Sequence, residues 1–379
     1  MVANMQEPGE FSQEDTILAD NGTGVEIEDI GGEEQITEPF DPSLIRVNTR
    51  PMTIDLLRSR IEHQELDLAP DFQRKGGIWK KDAQSRLIES MLIRIPLPAF
   101  YMDATNDEKW LVVDGLQRLT TIKRFMIDKT LRLSGLEFLT PIEGKSFDEL
   151  PRNYQRRIAE TQVTVYLIDK GTPDEVKFNI FKRINTGGLP LSTQEIRNAL
   201  YQGEATKMLA RLADSDAFKR AVNYSIKDDR MADREFVLRY LAFTITPYMK
   251  YDGDFDRFLN KAMEDINKIS HREREELEKK FIRSMIIARD IFGQNAFRKL
   301  GGRPVNKPLF EAWSVNFNQL TDEQAQSLVD RKQLLIGKYR LLEGSSINFY
   351  ESITFATGNA RKVRLRFEAI AQIIKEVLA

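Results

Sequence analysis

Residues 110–122 read Trp-Leu-Val-Val-Asp-Gly-Leu-Gln-Arg-Leu-Thr-Thr-Ile, and they combine the side chains and backbone freedom that phosphate chemistry uses. The apolar run Trp110 to Val113 predicts a buried strand that stops at the turn dipeptide Asp114-Gly115. From there Leu119, Ile122, Phe125 and Met126 fall at helical spacing, with Lys123 and Arg124 facing away. A strand that passes through glycine directly into a helix leaves the first amide N–H groups without helical partners, and an anion can sit there. Gly115 permits close approach of the backbone, and Arg118 offers a planar fork to phosphate oxygens. Asp114 would repel phosphate directly, so it suits holding a metal ion, a water or a ribose hydroxyl. The spacing equally allows a plain strand–turn–helix with Arg118 in solvent.

The elements needed to position this turn lie on both sides of it. Upstream, Phe72-Gln73-Arg74 and Trp79 precede a predicted helix over 82–93, then Ile95-Pro-Leu-Pro98 and an extended Ala99-Phe-Tyr-Met102. Downstream, Val163 to Ile168 alternates like a strand. It is followed by Phe181-Lys-Arg183-Ile-Asn185-Thr-Gly187-Gly188 and Leu191-Ser192-x-x-Glu195-Ile-Arg197-Asn198. Taken alone, these pieces have ordinary explanations. Asn185 and Gly187 suit a helix C-cap, Glu195 is the capping-box partner of Ser192, and Arg183 is a cation at a helix C-terminus. Trp79 reads as core rather than as a stacking platform.

Taken together, in this order, the blocks resemble a large prokaryotic family typified by the S half of GmrSD modification-dependent restriction systems. Asp114-Gly115-Leu116-Gln117-Arg118 resembles that family's Asp-Gly-Gln-Gln-Arg motif, with Leu116 in place of the first Gln. The resemblance implies a fold similar to ParB and sulfiredoxin, whose Gly-x-x-Arg turn binds nucleotide phosphates. It implies catalytic roles for Asp114, Gln117 and Arg118, with Asp114 also on a metal. It further implies nucleotide contacts from Gln73, Arg74, Gly115, Arg183, Asn185, Glu195 and Asn198. The implied cofactors are a nucleoside triphosphate, GTP or ATP, and Mg²⁺. If the missing amide orients an attacking water, Leu116 puts hydrolysis in doubt even where binding survives. Asp233-Arg234-Glu235…Arg239 and Thr354…Arg364-Leu-Arg366-Phe367 resemble the family's helical remainder more loosely.

Composition removes other chemistries. With no cysteine in 379 residues, disulfides, thiolate metal sites and sulfiredoxin's own reaction are excluded. The two histidines, His63 and His271, sit in polar helical contexts without companions at metal-ligand spacing, so HNH nuclease chemistry is not expected of this chain. The resemblance, which joins this half to a nuclease half, then implies either a separate nuclease subunit as partner or no cutting at all, with a second copy of the chain as another candidate partner. No run of about 18 apolar residues and no signal-peptide pattern is seen, which predicts a cytoplasmic protein without a membrane partner.

The formal charge of −2 hides an uneven distribution. Residues 1–45 hold twelve Asp or Glu and no Lys or Arg; setting them aside leaves 46 acidic against 56 basic residues, a balance of +10. So acidic a segment, with few large apolar residues, reads as a disordered tail that solubilises the chain or competes with nucleic acid. The fold class expected for the remainder is α+β, with a mixed nucleotide-binding domain over 46–202 and a mainly helical domain over 203–379. Arg361, Lys362, Arg364 and Arg366 gather at the start of the last predicted helix and suggest a basic strip for DNA, modified or not. Solvated or internally paired arginines would explain the same cluster. Two functions are therefore compatible with the sequence: a triphosphate-hydrolysing sensor of a DNA defence system, or a non-catalytic nucleotide- or DNA-binding switch.

Overall fold

The alternation expected downstream of the motif is present. Val163, Val165 and Leu167 are buried while Gln162 and Thr164 are exposed, which makes Gln162–Ile168 a strand with one face on the core. A computed structural model describes residues 24–31, 45–68, 79–184, 191–227, 230–302 and 304–379. The chain divides into two units, Glu38–Leu200 and Tyr201–Ala379 with the N-terminal segment.

In the first unit the strands are β1 (Val47–Thr53), β2 (Leu66–Asp67), β3 (Phe100–Asp103), β4 (Trp110–Asp114) and β5 (Gln162–Ile168), in the sheet order β1-β5-β3-β4-β2. β1 runs antiparallel to β5 along an edge, which is where Pro51, lacking an N–H, is tolerated. β3 is parallel to β5 and antiparallel to β4, so the start of β3, the start of β5 and the end of β4 share one end of the sheet. The helices are α1 (Ile54–Glu62), α2 (Lys81–Leu92), α3 (Leu116–Ile122), α4 (Arg152–Ala159), α5 (Asp174–Ile184) and α6 (Thr193–Leu200). One sheet face buries Met102, Val112, Val163 and Val165 with Ile88, Leu119 and Ile122; the other packs Val113 and Ile168 on Phe178, Phe181 and Ile196. α3 continues as a π-helical turn over Lys123–Ile127, which turns both Phe125 and Met126 inward. Glu89 of α2 anchors the loop beyond it by accepting the N–H groups of Glu137, Phe138 and Leu139 at 3.0, 2.7 and 2.7 Å.

The second unit is helical around aromatic residues such as Phe236, Phe310, Trp313 and Phe367. Residues 24–31, expected to be part of a disordered tail, are instead held against it. Val25 bridges Val305, and Glu26 meets Lys299 at 2.5 Å. Glu28 accepts both terminal nitrogens of Arg239, at 3.0 and 2.6 Å, and the hydroxyl of Thr357 at 2.7 Å. Arg239, on the helix Ala232–Ile245, is 1% exposed and also pairs with Glu235 and Glu311. The acidic residues that read as solvating are counter-ions here: a buried guanidinium requires carboxylates, and residues 24–31 supply one.

This arrangement fixes an acid response. Burial pushes Glu28 upward, but the charges of Arg239 and Lys307 outweigh it and hold the carboxyl below the ordinary glutamate range. A depressed native value means that Glu28 stabilises the fold fully above the ordinary range and ceases to do so as pH falls through the depressed value. Denaturant titrations from neutral to strongly acidic pH should therefore show a steeper loss of stability for the wild type than for Glu28→Gln. Equal slopes would show that the contact does not couple to folding.

Candidate functional site

The site is built where β4 ends. Gly115 has φ +100° and ψ 7°, a left-handed conformation, and caps α3. A Cβ there would lie 2.3 Å from Cδ1 of Phe100, so both conformation and space demand glycine. Beyond it, the amides of Leu116, Gln117 and Arg118 open the helix and have no carbonyl of their own helix to bond.

Arg118 is turned inward. Its Nη1 donates to the carbonyl of Pro98, and its Nη2 donates to the carbonyl of Ala99 at 3.0 Å and to Asp114 Oδ2 at 2.7 Å. The guanidinium carbon sits 4.3 Å from the ring centroid of Phe100. The residue is 7% exposed, so it is neither the solvated arginine nor the open phosphate fork that the spacing allowed. It ties the end of β4 to the segment entering β3. Burial raises Asp114 above its ordinary value, opposed by Arg118 and by the Gly115 N–H. Burial likewise lowers Arg118, opposed by Asp114. Both partners lose hydration, and each restrains the shift in the other.

Gln117, the neighbour of Arg118 on α3, accepts the Trp79 N–H through its Oε1 at 3.2 Å. The Trp79 carbonyl accepts Gln84 Nε2 at 2.7 Å, and Gln84 Oε1 accepts Arg124 Nη1 at 3.1 Å. Trp79 is half-buried. On β3, Tyr101 lies across from Asp114 beside a register shift and stacks on Tyr166 of β5, with centroids 4.9 Å apart. Burial, then Tyr166 and Asp114, raise the Tyr101 phenol. The tyrosine pair is not legible in the sequence because it depends on the β3–β5 register; the alternation within each strand is its only signal.

The structure thus brings together Asp114, Gly115, Gln117 and Arg118. Gln73, Arg74 and Asn185 lie outside the described residues. Arg183 is exposed near the end of α5. Glu195 is buried and caps α6 reciprocally with Ser192, accepting its N–H at 2.5 Å and donating its own to the hydroxyl at 3.1 Å. Asn198 is buried in the same helix, and among the described residues its Oδ1 has no hydrogen-bond donor. Among the described residues no group of three or more His, Asp or Glu could hold a metal.

The expected DNA strip on the helix Ala360–Leu378 requires correction. Arg366 is 1% exposed, donating to Glu311 at 2.6 Å and to the carbonyls of Thr357 and Ser352 at 2.7 and 3.2 Å. Its spacing to Val363, Phe367 and Ile370 puts it in the buried stripe, a periodicity the basic cluster obscures. Lys362 donates to the Phe355 carbonyl at 2.8 Å and Arg364 to that of Met249 at 3.4 Å, which leaves Arg361 the exposed member of the four. His63 and His271 are both exposed.

Compared with known families, residues 54–202 match the model described as "GmrSD restriction endonuclease, N-terminal domain". No curated protein and no solved structure matches the chain. Among the described residues, no helix is long and apolar enough to cross a membrane.

Removing Arg118 would leave two carbonyls without this donor and a half-buried carboxylate with the Gly115 N–H but no counter-charge from Arg118. Arg118→Ala should cost about 3–5 kcal/mol of stability in chemical denaturation, and Arg118→Lys should recover little, because one ammonium cannot reproduce the fork. A loss below about 1 kcal/mol, the range of an exposed ion pair, would contradict the clasp.

Proposed function

We propose, from residues 54–202 being a member of the GmrSD N-terminal domain family, that this chain is the sensor component of a restriction-type DNA defence system. It binds a nucleoside triphosphate at the Asp114–Arg118 turn, hydrolyses it, and acts with a separate nuclease. The mixed unit is read as ParB/sulfiredoxin-like. The observation that carries the proposal is the strand–glycine–helix turn, with Gly115 left-handed and the α3 amides directed out of the helix start. In this reading the backbone, rather than the Arg118 fork, receives phosphate oxygens. Arg118 holds the turn in shape, Asp114 supplies an oxygen to a Mg²⁺ carried by the nucleotide, and Gln117 orients water.

A second reading has its own observation. Leu116 stands where the related motif has its first Gln, and its side chain packs against the apolar core rather than reaching a ligand. A binding switch without turnover would result.

Phosphate release with each of the four triphosphates, with and without DNA and Mg²⁺, separates the two, alongside calorimetry. The hydrolase reading expects turnover that Gln117→Ala lowers by about 10²-fold while affinity is retained. Binding without turnover selects the switch. No binding of any triphosphate would remove both.

A further inference from the structure

We infer that Arg94, Arg152 and Arg156 form a site for the phosphate backbone of duplex DNA on the mixed unit. Arg94 and Arg156 line a cleft of about 420 Å³ between the C-terminus of α2, the helix α4 and the start of β5, together with Ile95, Pro96, Arg157 and Glu160, and Arg152 precedes the lining residue Asn153 on α4.

Two of these arginines stand where local backbone physics disfavours them. α2 ends in a Schellman turn: Arg94 N–H bonds the Met91 carbonyl at 3.2 Å and Ile95 N–H bonds that of Ser90 at 2.8 Å. The residue between helix and exit has φ +65°, a position that ordinarily takes glycine, and it is Arg94. Arg152 opens α4, where the helix dipole repels a cation. Arg157, in the last turn, has an internal role, since it donates to the Leu92 carbonyl at 2.9 Å and lies over Tyr154.

Among the described residues the other three cations have no carbonyl or ring partner of this kind. Among the described residues Arg94 makes no side-chain hydrogen bond or ion pair and is exposed. Arg152 reaches Gln155 at 3.4 Å, and Arg156 meets Glu160 at 3.8 Å with both side chains about two-thirds exposed (67% and 69%). Arg152 and Arg156 share a helix face at i,i+4. These exposed cations supply what the C-terminal helix, with Arg366 buried, does not.

The position also suits a sensor. The cleft and the Asp114 turn open at the same end of the sheet. The segment joining α2 to β3 lines the cleft with Ile95 and Pro96, and its Pro98 and Ala99 carbonyls are held by Arg118. The site's purpose rests on the proposed function; its existence does not.

The test is fluorescence anisotropy of a labelled duplex with the full chain across a salt series, without nucleotide. Every phosphate that the protein no longer neutralises should reduce the slope of log K against log salt by ~0.9. The variant carrying Arg94→Gly, Arg152→Gln and Arg156→Gln should therefore bind about tenfold or more weakly with a slope shallower by ~2–3. Arg361→Gln should match the wild type. Arg94→Gly alone should raise the melting temperature, because glycine suits that conformation, yet weaken DNA binding; this separates the role from folding. Absence of wild-type binding at low salt, an unchanged slope in the triple variant, or weakening through Arg361→Gln instead would overturn the site. Calorimetry with triphosphate on the same proteins keeps the readings apart: a salt slope that responds while no nucleotide binds preserves the site and removes the proposed function.

Discussion

A guanidinium withdrawn from water must find several acceptors at once, and the geometry of the mixed unit follows from how Arg118 does so. Its acceptors come from opposite sides: Asp114 at the end of β4, and the Pro98 and Ala99 carbonyls before β3. Phe100 closes the arrangement from below, and the same ring excludes any side chain at Gly115. Turn conformation, β3 entry and the direction of the α3 amides are thereby set by one buried cation. The glycine makes the turn sterically allowed, and the arginine makes it the conformation adopted.

The helical unit uses the same device. Arg239 gathers Glu28, Glu235 and Glu311, and Arg366 takes the second oxygen of Glu311. Arg298 reaches the carbonyls of Gln294, Ala296 and Val222 and the hydroxyl of Ser225. Arginines used as internal ties cannot reach a phosphate backbone, so the +10 balance outside residues 1–45 does not by itself place a basic strip on the surface of this unit. The same pairing explains why an acidic N-terminal stretch is ordered over residues 24–31: its carboxylates complete charge clusters the helical unit cannot satisfy alone.

Much of the mixed unit is legible in the sequence because its signals are local. The Trp110–Val113 run, the alternation of 163–168, the Asp114-Gly115 stop and the Ser192–Glu195 box each specify an element without distant contacts. What resists reading depends on register or on long-range pairing. The Tyr101–Tyr166 stack needs β3 beside β5, and the inward turn of Arg118 needs the Pro98–Ala99 carbonyls about twenty residues away in sequence. Arg366 is hidden for a different reason: the charge of its cluster masks a periodicity shared with Val363, Phe367 and Ile370. Burial of a cation is decided by its acceptors, and acceptors contributed by other segments leave no mark beside it.

Hydrogen exchange of the turn, with and without saturating triphosphate and Mg²⁺, addresses the central claim most directly. If the backbone at Gly115 receives phosphate, the amides of Leu116, Gln117 and Arg118 should exchange markedly more slowly with nucleotide present, while the core strand β5 is unaffected. Unchanged exchange at these amides under conditions where calorimetry shows nucleotide bound would place the ligand elsewhere and contradict the account.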